Sequence, residues 1–203
     1  MLMTVQLLET TLEGSSPIHA EILADGERAI VEGTHPVTIA HSGSDRLVLR
    51  YDYLLRYEAA SGELEVEKST FKIEFRAKKK PVPVVRFEYE SHARNKPASH
   101  FQFHADSVPL GLLLARAGKY ETAAQQQDIH FPMGGSQFRL HLTDVIELLV
   151  REFGAATEDG WYESLSAHRN RYYEAEVDRV IHANLSRAVV LLENAGYKVD
   201  APQ

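Results

Sequence analysis

The apolar positions of this chain change period once. Up to about residue 104 they recur mainly at every second residue, and beyond about residue 142 they recur at helical spacing. Short runs at TVQLLETTLE, PIHAEILA, RAIVEG and VTIAHS, separated by GSS, DGE and THP, predict strands joined by tight turns. RLVLRYDYLLRYEA predicts a longer strand. In STFKIEFRA, Phe71, Ile73 and Phe75 share one face, with Lys72, Glu74 and Arg76 on the other. In VVRFEYESH, Val85, Phe87 and Tyr89 alternate with Arg86, Glu88 and Glu90. SHFQFHAD then sets Phe101 and Phe103 against His100, Gln102 and His104. Consecutive strands with short connections predict an antiparallel meander, dry on one face and wet on the other.

VPLGLLLARAGKY predicts a short helix that Gly118 ends. In IHFPMGGSQFRLHL, Gly134-Gly135 between aromatic runs predicts a two-residue hairpin, with Phe131 facing Phe138 and His130 facing Arg139. Pro132 marks its first strand as an edge. LTDVIELLVREFG predicts a helix capped by Thr143 or Asp144, burying Val145, Ile146, Leu148, Leu149 and Phe153, and stopped by Gly154. From Trp161 to Ala195 no Gly or Pro intervenes, and Val177, Ile181, Leu185, Ala188 and Leu192 recur at helical spacing. That predicts one long amphipathic helix or two stacked ones. The fold class is α+β in a single domain: a curved N-terminal antiparallel sheet and hairpin over residues 1–142, with C-terminal helices over 143–203 packed on one face.

Composition adds mainly exclusions. At 203 residues, 44% hydrophobic and 25% charged, the chain has the make-up of an ordinary globular protein rather than a disordered one. It has no cysteine, which excludes disulfides, thiolate metal sites and a cysteine nucleophile, and suits a cytoplasmic location. The opening MLMTVQLLETTLEG lacks a basic n-region and a long apolar core, so no signal peptide is expected. No run approaches the roughly 18 apolar residues of a spanning helix, so no membrane partner is expected. The net charge of -7 argues against broad nucleic-acid binding. Residues 68–96 nevertheless carry +6, leaving -13 for the rest. Arg76, Lys78, Lys79, Lys80 and Arg86 are therefore candidate anion-binding groups, with a solvated turn at AKKKP as the plainer explanation.

On one strand His100 and His104 lie about 13 Å apart, too far to chelate a single ion, so neither metal nor cofactor is expected. Acid–base chemistry needs less: a base, an acid and a cation. His100, His104 and His130 with Arg139 as anion stabiliser, and Arg86 on the adjacent strand, could supply that set. The same histidines could equally form a hydrogen-bonded strand face. No P-loop, dinucleotide-binding glycine motif, nucleophile elbow or zinc-protease motif occurs. Tyr51, Tyr53 and Tyr57 fit a base-stacking platform or a core ladder.

The succession RFEYE, KPASHFQFHAD, IHFPMGG and LTDVIELLVREFG, over about residues 84–154, resembles small bacterial toxin and defence-associated proteins of the TumE-type toxin group. In that group a histidine-bearing strand precedes a final helix, although Gln102 stands where a further histidine would suit it. The resemblance implies an intracellular role in toxin–antitoxin conflict or defence. Two functions follow as expectations. One is a metal-independent ribonuclease or nucleotide-binding protein acting through the His/Arg face. The other is a non-catalytic binding or regulatory module that docks a protein partner, or forms a homodimer, through residues 161–195.

Overall fold

A computed structural model describes residues 2–15, 17–59, 62–78, 80–135 and 138–200. Seven strands, β1 (Ile18–Ile22), β2 (Arg28–Ile39), β3 (Ser44–Glu58), β4 (Glu63–Arg76), β5 (Pro81–Glu90), β6 (Ser99–Phe103) and β7 (Phe131–Pro132), pair in chain order. Each is antiparallel to the next, and the curved sheet does not close. The helices are α1 (Leu2–Glu9), α2 (Val108–Arg116), α3 (Tyr120–Ala124), α4 (Leu142–Phe153), α5 (Trp161–Ala183) and α6 (Leu185–Asn194). The architecture is thus the α+β meander with C-terminal helices that the alternation predicts. No helix among the described residues is long and apolar enough to cross a membrane.

Register organises the core. Gly33, Tyr51, Phe71, Phe87, Phe101 and Phe131 are successive cross-strand partners, so one row of rings crosses five strands and ends at a glycine on the sixth. Phe87 and Phe101 have centroids 6.2 Å apart, and Phe101 stacks on Phe131 at 5.1 Å. Tyr51 lies over Gly33, where a Cβ would collide with the hydroxyl end of its ring. The neighbouring row of Leu49, Ile73 and Val85 is also buried. Onto this face α4 lays Leu142, Val145, Ile146 and Leu149, while α1 adds Leu7 and Leu8 and α5 adds Leu165. Tyr51 and Tyr53 thus belong to the core rather than to a base-stacking platform, and Tyr53 meets Phe71 edge-on at 5.6 Å.

Four local expectations are corrected. TVQLLETTLE is largely helical, because adjacent Leu7 and Leu8 are both buried, which a strand facing the core on one side cannot achieve. RAIVEG and VTIAHS are one strand through Thr34-His35-Pro36. Strand β1 reaches only to Gly33, so no neighbour on that side needs the N–H that Pro36 lacks. The Gly134-Gly135 hairpin is not formed: Phe138, Arg139, Leu140 and His141 make no strand. Phe131 stacks on Phe101 instead of facing Phe138, which rests against Gly134. Finally, α4 is capped by His141 rather than by Thr143 or Asp144. The His141 ring accepts the Thr143 N–H at 3.4 Å, and the Asp144 carboxylate accepts the His141 N–H at 2.9 Å. Gly154 ends the helix with φ 65°, as its position predicts.

Candidate functional site

The polar side of β6 is enclosed rather than solvated. Antiparallel register sets Glu88 opposite His100 and Arg86 opposite Gln102, so all four share the face away from the aromatic row. His100 is 0% exposed. Its Nδ1 lies 2.9 Å from the Pro97 carbonyl and its Nε2 3.0 Å from Glu88 Oε2. Both partners are acceptors, so both ring nitrogens donate together only as the imidazolium. The His130 ring covers it, with centroids 4.6 Å apart, and Gln102 Nε2 is 3.4 Å from His130 Nε2. Arg86 donates to Gln102 Oε1 and stands 3.2 Å from Glu88, while Lys96 reaches Glu88 at 3.2 Å and Glu90 at 3.5 Å. Burial pushes the Glu88 carboxyl up, but Arg86, Lys96 and His100 outweigh it, and its pKa lies below the usual carboxylate value.

His104 flanks this cluster beyond the end of β6, partly exposed, with burial and the charge of Arg86 lowering its pKa. Burial lowers His130 as well, helped by His100 and Lys96. The three predicted histidines thus lie in one neighbourhood, whereas Arg139 does not join them. Its guanidinium lies on the core side, 2.7 Å from Glu176 and 3.0 Å from the Tyr172 hydroxyl, between the rings of Tyr89 and Tyr172. With no hairpin to carry it beside His130, it is an interior ion-pair group. Arg76 ends β4 opposite Pro81, and Lys78 and Lys80 belong to the β4–β5 turn. Arg86 is five residues along β5 from Pro81 at that turn, which is about 17 Å. Lys79 lies outside the described residues. Arg50, Arg56 and Lys68 on the sheet also stand beside Glu74, Glu67 and Glu90, so this face is a charge-balanced lattice rather than a cationic one.

A second arrangement, on the other side of the sheet, carries residues that the sequence reading passed over. Between α1, β3, the start of α4 and the first half of α5 lies a cavity of about 180 Å³. Leu7, Leu142 and Ala175 give it apolar walls, and Tyr53, Tyr172 and His141 line it with rings. His141 and Tyr172 stack at 3.7 Å with an interplanar angle of 19°. Burial, reinforced by Arg139 and Arg169, pushes the His141 pKa down to about 3. Burial pushes the Tyr172 hydroxyl up to about 12 and raises Tyr53 as well. Thr4, His168 and Arg171 complete the polar lining. His168, Arg171, Tyr172 and Ala175 repeat at helical spacing along α5, and that was the available signal.

Sheet and helices define an α+β protein with two polar assemblies, one closed by ion pairs and one open to a cavity. Comparisons with protein-family profiles, with curated proteins and with solved structures find no match to this chain.

Proposed function

We propose that this protein is a non-catalytic binding module that pairs with a second copy of itself through the outer end of α5 and α6. The observation that carries this reading is an apolar stripe that the described residues leave about half exposed. Tyr173, Val177, Ile181 and Leu185 follow one another at four-residue steps and are 43–56% exposed. Leu192 continues the stripe at 43%, and Tyr197 beyond it is 67% exposed. The helical axis breaks at Asn184, whose amide donates to the Val180 carbonyl at 2.9 Å, and α6 has no buried residue. Single exposed apolar residues are ordinary, but a contiguous stripe along a helix marks an association surface. A two-fold pair uses the same stripe on both chains, so each copy supplies what the other needs. Flanking charges of both signs, from Glu174, Asp178, Arg179, Arg187 and Glu193, leave such a pairing free of one-sided repulsion.

The enclosure of His100 favours this reading over acid–base chemistry at the strand, because a catalytic base must reach its substrate. Light scattering on the full chain tests it. The expected result is about twice the chain mass of 22.8 kDa at tens of micromolar. The double substitution Ile181→Glu with Leu192→Glu should return a monomer with an unchanged far-ultraviolet spectrum. A monomeric unsubstituted chain, or a double variant that keeps the doubled mass, removes the proposal.

A further inference from the structure

We propose that the cavity beneath α5 is a binding site for a small planar carboxylic acid of about benzoate size. Size, walls and polar groups each narrow the ligand. A volume of about 180 Å³ is close to the roughly 150 Å³ that holds one benzene ring in an apolar protein cavity. The rings of Tyr53, Tyr172 and His141 offer flat surfaces, and Leu7 and Leu142 offer aliphatic ones, which suits a planar apolar body.

Two polar groups then select its substituent. His168 is only 5% exposed and borders the cavity, yet it makes no hydrogen bond among the described residues. A ligand oxygen entering the cavity would supply the hydrogen-bond partner that the described residues do not. Arg171, three residues further along the same face of α5, makes only a long 3.4 Å contact with the Ala167 carbonyl. No carboxylate among the described residues pairs with it. Its guanidinium fork matches a carboxylate in geometry and charge. Burial keeps both His141 and His168 toward their neutral forms, so the cavity compensates one negative charge and a dianion would be left half-balanced. This site uses the side of α5 that carries His168, Arg171 and Ala175, not the Tyr173–Val177–Ile181 stripe, so it stands independently of self-association.

Nuclear magnetic resonance titration of the full chain with benzoate, and with benzamide as its neutral counterpart, tests the site. Benzoate should bind one per chain and shift the ring resonances of His168 and Tyr172. Benzamide should bind about tenfold more weakly, having lost one charge-assisted pair. Arg171→Gln should bring benzoate down to the level of benzamide and leave benzamide unchanged. Ala175 is exposed at the rim, and Ala175→Leu should abolish binding of both while the helix remains intact. If that variant melts early, the resonance map of the unsubstituted chain decides. Benzoate that shifts no cavity resonance, or that binds a folded Ala175→Leu protein as before, overturns the proposal.

Discussion

His100 and His168 lie on opposite sides of the sheet, and both are buried, at 0% and 5% exposure. Their surroundings differ in kind. His100 has an acceptor on each ring nitrogen, a second histidine over its face and a loop closing the edge. His168 has no hydrogen-bond partner among the described residues and borders open space. Burial alone therefore does not mark a working histidine. What separates the two is whether the protein itself has satisfied the ring: a satisfied ring is part of the scaffold, and an unsatisfied one beside a cavity leaves room for a ligand.

Removing His100 gives the largest expected effect. His100→Ala strips a hydrogen-bonded ring from a carboxylate that remains mostly covered and leaves a void beneath His130. Stability should fall by about 2–4 kcal/mol, less than for a lone buried pair because Arg86 and Lys96 still hold Glu88. For a chain of this size that is a drop of about 5–12 °C in melting temperature. His104→Ala, outside the enclosed cluster, should change stability by less than about 0.5 kcal/mol. Thermal unfolding of both variants checks the pair. Equal melting temperatures would dissolve the distinction between a scaffold histidine and its neighbour.

The same contrast explains what the sequence could and could not reveal. Alternation in STFKIEFRA and VVRFEYESH displays the meander directly, since period 2 with short turns admits few other arrangements. The enclosure of His100 depends on which residue β5 sets opposite it, and on the loop that brings Lys96 and the Pro97 carbonyl over the edge. Neither is a local property, so an alternating polar face looks solvated until the loop is placed. Leu7 and Leu8 misled differently, because a short apolar run fits a helix and a strand equally well. Gly134-Gly135 carried a hairpin signal, but the competing stack of Phe131 on Phe101 took the ring that the hairpin needed. His168 carried only a spacing signal along α5, because its meaning lies in the empty volume across from that helix.

A second, smaller effect probes the cavity side through acid. The His141 pKa is about 3 in the folded chain, against 6.5 for an exposed imidazole. Below pH 6.5 the unfolded chain therefore binds a proton that the folded chain refuses. The associated stability is complete above about pH 6.5 and is lost progressively as the pH falls toward 3. By pH 4.5 this amounts to about 2.5–3 kcal/mol. Asp144, whose pKa burial raises, works in the opposite direction as the pH falls toward the carboxylate range. His141→Asn keeps an acceptor at the α4 cap and removes the titration. Denaturant unfolding at pH 7 and pH 4.5 should show the unsubstituted chain losing about 2.5 kcal/mol more than the variant between the two. Equal losses would mean that the His141 ring is open to protons.

The smallest effect sharpens the criterion itself. Tyr51 is 1% exposed and its hydroxyl is sealed from solvent with no hydrogen-bond partner among the described residues, so it shares with His168 the lack of a protein partner. Burial pushes its pKa up to about 12, in keeping with a hydroxyl that nothing solvates. Tyr51 differs from His168 in what stands beside it, because its ring rests on Gly33 within the aromatic row. An unpaired group so packed can only be a cost to the fold, so Tyr51→Phe should leave stability unchanged or raise it by up to about 1 kcal/mol. Chemical denaturation resolves a change of that size. A loss of more than about 1 kcal/mol would mean that the hydroxyl is satisfied after all. The absence of a partner would then carry less weight at His168, and the case for the cavity would rest on its shape and on Arg171.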